Sequence, residues 1–329
     1  MKITEEEIRP ENVFNEYLKL TAIDIKTYFE NALKHDINCP ACECVGDFWA
    51  LKQGFNYNLC PNCQTIYVSP RPEIEAFNAY YTDSPSTKFW ATTFYKITED
   101  ARREKLWKPK AQLIKKKILT LSVSGSFEYI IDIGGGYGVF DEEIQKIMSI
   151  SCVVIEPSVH LAEICKKKGL PVIEKFMEEI KNKDLPEGRK CFVSFELFEH
   201  LHDPKFFLQM VFNNMNSNDI FIFTTLSGMG IDIQILGEKS KALSPPHHLN
   251  FFNPKSVSNL LIKCGFEVIS TETPGKLDID IIIKNKEFVR DPFWKNLILY
   301  LDQNDLDKMQ DKIVEMGLSS HMLITCRKP

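Results

Sequence analysis

From Phe127 onward, short apolar runs alternate with longer stretches whose apolar positions recur every three or four residues. The runs EYIIDI, CVVIE, PVI, CFVSFEL and IFIFTTL are rich in β-branched and aromatic residues and read as strands. FDEEIQKIM and HLAEICKKK between them carry the helical period. Strand and helix alternating at this spacing predict a parallel α/β sheet of the doubly wound, Rossmann-like kind. FEVIS and HMLITC add two late strands, separated by about fifty residues, too long for a bare connection. That insertion should hold one or two helices. FWKNLILYLDQ within it has the pattern of an amphipathic helix, for core packing first, with an acceptor pocket or a dimer surface as other roles.

The N-terminal part patterns differently. In ENVFNEYLKLTAIDIKTYFENAL, Val13, Tyr17, Leu18, Leu20, Ile23 and Ile25 form an apolar stripe that predicts a helix. Ser69-Pro-Arg-Pro72 reads as extended chain. From Glu73 to Leu121 the sequence looks helical and aromatic, with breaks near SPS and at Pro109. It ends in Lys115 to Lys117, read as a solvated helix face. Four segments are expected: a helical start over 1–35, a cysteine module over 36–72, a helical connector over 73–124, and an α/β domain over 125–329 with a helical insertion at about 275–317.

Composition narrows the class. The 329 residues are 44% hydrophobic and 26% charged, enough for one large or two modest cores. A net charge of -5 counts against a nucleic-acid partner or an anionic membrane surface. MKITEEEIRP lacks the basic and apolar regions of a signal peptide, and no run approaches the roughly 20 apolar residues of a membrane span. A cytoplasmic location is expected.

Five of the ten cysteines fall within 25 residues, which points to metal rather than to disulfides. Cys39, Cys42, Cys60 and Cys63 form C-x2-C-x17-C-x2-C, the spacing of a closed, structural zinc-ribbon-like site. Cys44 is a fifth sulfur beside the first pair, and a closed site takes four. Few basic residues flank the cluster, so a scaffold or substrate lid is the expected role rather than a grip on nucleic acid.

The chemistry concentrates in IIDIGGGYG. A strand ending in Asp132, a turn with Gly134, Gly135, Gly136 and Gly138, and a helix starting near Phe140 place bare backbone at the carboxyl edge of the sheet. Such a loop cradles a nucleotide. Position 139 is Val, so the glycines fall as G-x-G-x-G rather than G-x-G-x-x-G, which disfavours NAD. Glu156 closes the next strand 24 residues after Asp132, where a carboxylate can accept both hydroxyls of a ribose.

In order, D-I-G-G-G-Y-G, V-I-E-P-S, F-E-L-F-E-H-L-x-D-P and P-P-H-H-L-N-F-F-N-P resemble the class I S-adenosylmethionine-dependent methyltransferases. The resemblance is strongest to the bacterial branch with an N-terminal cysteine-ligated zinc module, associated with sugar and surface-polysaccharide modification. It implies S-adenosylmethionine as cofactor. By position, the glycine loop would take the methionine part, with Asp132 orienting its amino group, often through water. Glu156, followed by Pro157, would hold the ribose, Phe176 would flank the adenine, and Phe195, Glu196 and Leu197 would pass the methionine moiety. The sequence departs from the family at Asn216-Ser-Asn-Asp219, where many relatives have Lys-Pro-Gly-Gly.

The sulfonium already carries an electrophilic methyl group, so the protein must align donor and acceptor, exclude water and remove a proton where needed. Of the seven histidines, His200 with His202 and His247 with His248 fall in two clusters. His248 is the first choice for general base, by resemblance to sugar C-methyltransferases, with His200 and Glu199 beside it. Glu196, Glu199 and His200 form E-x-x-E-H, which in some quinone and RNA-end methyltransferases binds Mg²⁺ or a similar cation. That is the lesser reading, since imidazole is an uncommon ligand for so hard an ion. The expected activity is methyl transfer to oxygen or carbon of a small polar metabolite such as a nucleotide-linked sugar. The alternatives are an RNA methyltransferase that grips its substrate with the zinc module, and a non-catalytic cofactor-binding scaffold. The oligomeric state stays open.

Overall fold

The computed structural model describes residues 5–121 and 126–329. The boundary expected at 124/125 and the first four residues lie outside the described residues. The strands run β1 Lys34–His35, β2 Asp47–Lys52, β3 Phe55–Leu59, β4 Ile66–Val68, β5 Arg71–Pro72, β6 Tyr129–Ile133, β7 Ser151–Ile155, β8 Val172–Ile173, β9 Lys190–Phe195, β10 Ile220–Leu226, β11 Asn250–Phe251, β12 Glu267–Glu272 and β13 His321–Arg327. Every apolar run read as a strand is one.

The chain forms two compact units. One comprises Asp100–Thr225, Ser258–Thr271 and Leu323–Pro329. Its sheet has the order β12-β13-β10-β9-β6-β7-β8, with β6 parallel to β7 and β9, β7 to β8, and β9 to β10. The chain winds outward from β6 to β8, then returns to the other side of β6 for β9 and β10. Strand order therefore reverses at β6, and such a reversal opens a crevice at the carboxyl ends of the strands. Helix Lys108–Leu121 buries Ala111, Ile114 and Ile118 against Phe127, Ile130, Phe140 and Ile144. No break occurs at Pro109. The helix continues from Tyr95 through the π-helical stretch Arg103–Trp107, and this widened turn directly before Pro109 accommodates a residue that lacks an N–H. In the Asn216-Ser-Asn-Asp219 turn, Asn218 takes the left-handed conformation (φ 67°) that asparagine tolerates better than most residues, and Asp219 accepts the Asn216 and Lys190 amides.

The other unit comprises Met1–Glu99, Leu226–Val257 and Glu272–Met322. It holds an antiparallel sheet of order β11-β4-β3-β2 and the small pair β1-β5. Phe29, at the end of helix Glu11–Phe29, packs with Tyr57, Ile66, Phe77, Tyr80 and Phe251. The expected break near SPS falls at Ser84, whose extended backbone and hydroxyl cap the next helix. The long insertion forms three helices, Asp278–Lys284, Pro292–Tyr300 and Gln303–Glu315, around Ile279, Ile282, Leu306 and Ile313. Of these, Pro292–Tyr300 leans on that core through Trp294 and Ile298 and leaves Phe293, Leu299 and Tyr300 exposed.

These units cut across the four linear segments read from the sequence. Strand β11 lies far down the chain, yet it hydrogen-bonds to β4 of the cysteine module, so Leu226–Val257 joins the N-terminal unit. Periodicity reports local structure, and it carries no information about which distant strands pair.

Candidate active site and metal centre

The glycine loop follows the carboxyl end of β6 and leads into helix Val139–Ile147. Gly138 has φ +65° and starts helix Val139–Ile147; a Cβ there would meet Leu170 Cδ1 at 2.4 Å. Gly136 has φ +57° but nothing within 4 Å of an added Cβ, so its exposed side is open space. Its amide donates to Glu156 Oε2 at 3.0 Å, and Ser158 N donates to Oε1 at 2.9 Å. Glu156 therefore ties the end of β7 to the glycine loop. Burial raises its pKa above the ordinary carboxylate value, against the Ser158 and Gly136 amides that favour the charged form.

Asp132 is buried beneath the loop, against Gly135. Burial and the neighbouring Asp141 carboxyl hold its pKa well above the ordinary range. Phe176 is 54% exposed, a ring available for stacking, and Pro157 is half-buried.

At the end of β9 the chain turns sharply. Glu196 takes φ +54°, a conformation rare for side-chain-bearing residues, and stored strain of this kind is typical of functional sites. Its Oε1 accepts from Thr224 Oγ1 at 2.6 Å and lies 3.4 Å from Lys110 Nζ. Lys110 also stands over the rings of Trp107 and Phe195, at 5.1 and 4.5 Å from their centroids. Burial pulls its pKa down while the Glu196 carboxylate holds it up. Sequence reading missed Lys110. It sits one residue after a proline in an amphipathic helix, and only folding carries that helix position to the end of β9. Phe195 is buried, and Leu197 lies against Gly134.

Glu199 is buried and accepts from Thr225 Oγ1 at 2.8 Å. Burial, and after it the Glu196 charge, pushes its pKa up to about 8. His200 is half-buried in the turn Phe198–His200, and its amide donates to the Leu197 carbonyl.

In the N-terminal unit, His248 Nδ1 lies 2.6 Å from the Ala242 carbonyl oxygen. A carbonyl only accepts, so Nδ1 carries the hydrogen and the neutral ring keeps its lone pair on Nε2. His247 differs. Its Nε2 is 2.7 Å from Tyr80 Oη and its Nδ1 3.3 Å from Tyr81 Oη, and burial drives its pKa down to about 3. It is a neutral member of an aromatic cluster with Tyr17, Tyr80 and Tyr81.

The four cysteines converge. Sulfur to sulfur, Cys39 and Cys63 are 3.4 Å apart, Cys42 and Cys60 3.4 Å, and Cys42 and Cys63 3.5 Å. All four lie within 4.8 Å of one another, close to the sulfur separations of a tetrahedral site with Zn–S bonds of about 2.3 Å. Two matching turns produce this. Glu43 N donates to Cys39 O and Cys39 N to Cys44 O, while Gln64 N donates to Cys60 O and Cys60 N to Thr65 O. Glu43 and Gln64 occupy the left-handed region at φ 68° and 59°. Cys44 thus occupies the place that Thr65 holds in the second knuckle, outside the four-sulfur set. The four sulfurs fit Zn²⁺, which four thiolates at this separation would enclose with no open position.

A family profile described as "Methyltransferase domain" matches residues 102–271. Among solved structures, the chain resembles the plantazolicin methyltransferase BamL in complex with a triazolic desmethylPZN analog and SAH, at 13% identity, covering 74% of this chain and 93% of that one, with a TM-score of 0.48. It also resembles a SAM-dependent methyltransferase from Archaeoglobus fulgidus, at 14% identity, 71% and 100% coverage and a TM-score of 0.47. A third is the O-methyltransferase of a trans-AT PKS multienzyme of Brevibacillus brevis in complex with S-adenosyl-L-homocysteine, at 14% identity, 71% and 76% coverage and a TM-score of 0.44. No curated protein matches the sequence.

Proposed function

The chain belongs to the methyltransferase-domain family and is a class I S-adenosylmethionine-dependent methyltransferase, and on that premise we propose that it methylates oxygen or carbon of a small polar metabolite, a nucleotide-linked sugar or a surface-polysaccharide precursor. The observation that carries the cofactor assignment is the chemistry gathered along one sheet edge. Glu156 offers carboxylate oxygens for ribose hydroxyls, and the Lys110–Glu196 pair offers one charge of each sign for the zwitterionic methionine end. Gly134, Gly135, Gly136 and Gly138 let the backbone close on that end, with Asp132 supporting them from below. Phe176 stacks on the adenine, beside Pro157, while Phe195 and Leu197 exclude water from the methionine chain.

When bound, the cofactor supplies an electrophilic methyl group on sulfonium. His248 takes the acceptor proton at Nε2, because its Nδ1–H is committed to the Ala242 carbonyl. His200 is the second candidate for that proton. Glu199, bonded to the Thr225 hydroxyl, steadies the turn after β9. Cys39, Cys42, Cys60 and Cys63 hold a structural Zn²⁺ with no open position, so the metal takes no part in the chemistry.

A net charge of -5 and a cysteine module poor in basic residues support a small acceptor over RNA. Incubating the protein with S-(methyl-d3)-adenosylmethionine and an extract split into small-molecule and RNA fractions tests this by mass spectrometry. Label on a sugar-like compound identifies the acceptor. Label confined to RNA overturns the substrate class, and tight cofactor binding without label in either fraction overturns turnover on cellular acceptors.

A further inference from the structure

We infer that the four-cysteine centre is the positioning element of the His248 segment, so that metal occupancy decides whether the base is held in place. The inference rests on the zinc and His248 assignments above. Its ground is a set of contacts within one compact unit.

The second knuckle, Cys60–Thr65, is the turn that joins β3 to β4, and β4 pairs on its other side with β11, two residues beyond His248. Asn250 stands opposite Tyr67 and Phe251 opposite Ile66, the first residue after the knuckle. Val68 N donates to the Leu249 carbonyl at 2.9 Å. The Tyr57 hydroxyl, from β3, donates to the His248 carbonyl at 2.9 Å. Lys52 Nζ, from β2, donates to the Ser240 carbonyl at 2.6 Å, just before the Ala242 carbonyl that fixes the His248 ring. Both ends of the histidine loop are thus fastened to the sheet that the knuckle closes.

Asn253 is the direct tether. Its Nδ2 donates to the Cys63 carbonyl at 2.7 Å, while its Oδ1 accepts the Lys255 and Ser256 amides and caps helix Pro254–Lys263. One buried side chain therefore joins a metal-ligating residue to the segment carrying His248. A small module with few residues draws its order from the metal, and without it the hairpin and everything hydrogen-bonded to its edge should open more often.

The test uses the full chain, zinc-loaded, chelator-stripped and reloaded, together with Asn253→Asp, which keeps the capping oxygens and loses the donor to Cys63. Hydrogen exchange is followed over 240–253, with 129–133 and 190–195 of the other unit as folding controls. The His248 imidazole signal, recognised by its loss in His248→Gln, reports ring order. Stripping should speed exchange over 240–253 by about tenfold or more, leave the controls protected and disperse the His248 signal, all reversed by Zn²⁺. Asn253→Asp should retain zinc and yet shift the His248 signal and loosen 249–251. Unchanged exchange and an unchanged His248 signal on stripping, or a purified wild-type chain that binds no zinc, would overturn the inference. If stripping loosens the segment but His248→Gln leaves methyl transfer intact, positioning stands and the base assignment fails.

Discussion

At the scale of single residues, neighbours narrow the ordinary chemistry of the candidate groups in each unit. The Ala242 carbonyl selects the tautomer of His248, placing the lone pair of the neutral ring on Nε2. His248→Ala should lower turnover about 100-fold or more, measured as kcat in a labelled-methyl assay, with cofactor affinity unchanged by calorimetry. Lys110 makes a separate prediction. Its ammonium is the positive half of a pair that faces Glu196, and a charge-assisted hydrogen bond contributes about 1.5–3 kcal/mol. Lys110→Met should weaken S-adenosylmethionine binding by about tenfold or more. Binding of 5′-methylthioadenosine, which lacks the amino-acid end, should not change. Equal losses for both ligands would move Lys110 from the methionine end to general packing.

At the scale of elements, two glycines two positions apart in the same loop differ in consequence. Gly138 starts a helix with a positive φ, and a methyl group there runs into Leu170. Gly138→Ala should cost about 2–4 kcal/mol of stability, from left-handed backbone and overpacking together, read in denaturant unfolding. Gly136 also has a positive φ but faces open space. Gly136→Ala should cost only about 1–2 kcal/mol of stability while weakening the cofactor disproportionately, because the added methyl occupies the ligand's side of the loop.

At the scale of the whole molecule, a single buried acid, Asp232, gives stability a pH dependence. Asp278 accepts from Ser319 Oγ, Ser320 N and Gln310 Nε2, and so organises the end of the helical insertion. Asp232 is 1% exposed nearby, and burial followed by the Asp278 charge pushes its pKa to about 7 from 3.8. Between those values the folded chain holds a proton that the unfolded chain has released. Stability from this group is therefore full below about pH 4, falls as pH rises towards 7, and stays at its minimum above that. Asp232→Asn removes the titration. It should raise stability at pH 8 by about 3 kcal/mol or less and give little gain at pH 4, seen as a difference in melting temperature that shrinks with acidification.

The sequence by itself determined the local elements and the chemical vocabulary. Period-two and period-3.6 patterning located the strands of the larger sheet, because alternation and amphipathicity are imposed within a few residues of each position. The glycine loop, Glu156 and the cysteine pairs were legible because turn geometry and knuckle geometry are themselves short-range. Tertiary structure alone decided which distant pieces meet. It brought Lys110 to Glu196 across 86 residues, paired β11 with β4, and tied Asn253 to Cys63 across 190 residues. Those contacts form only once the chain has closed loops far longer than any sequence period, and a one-dimensional pattern holds no record of which loops close.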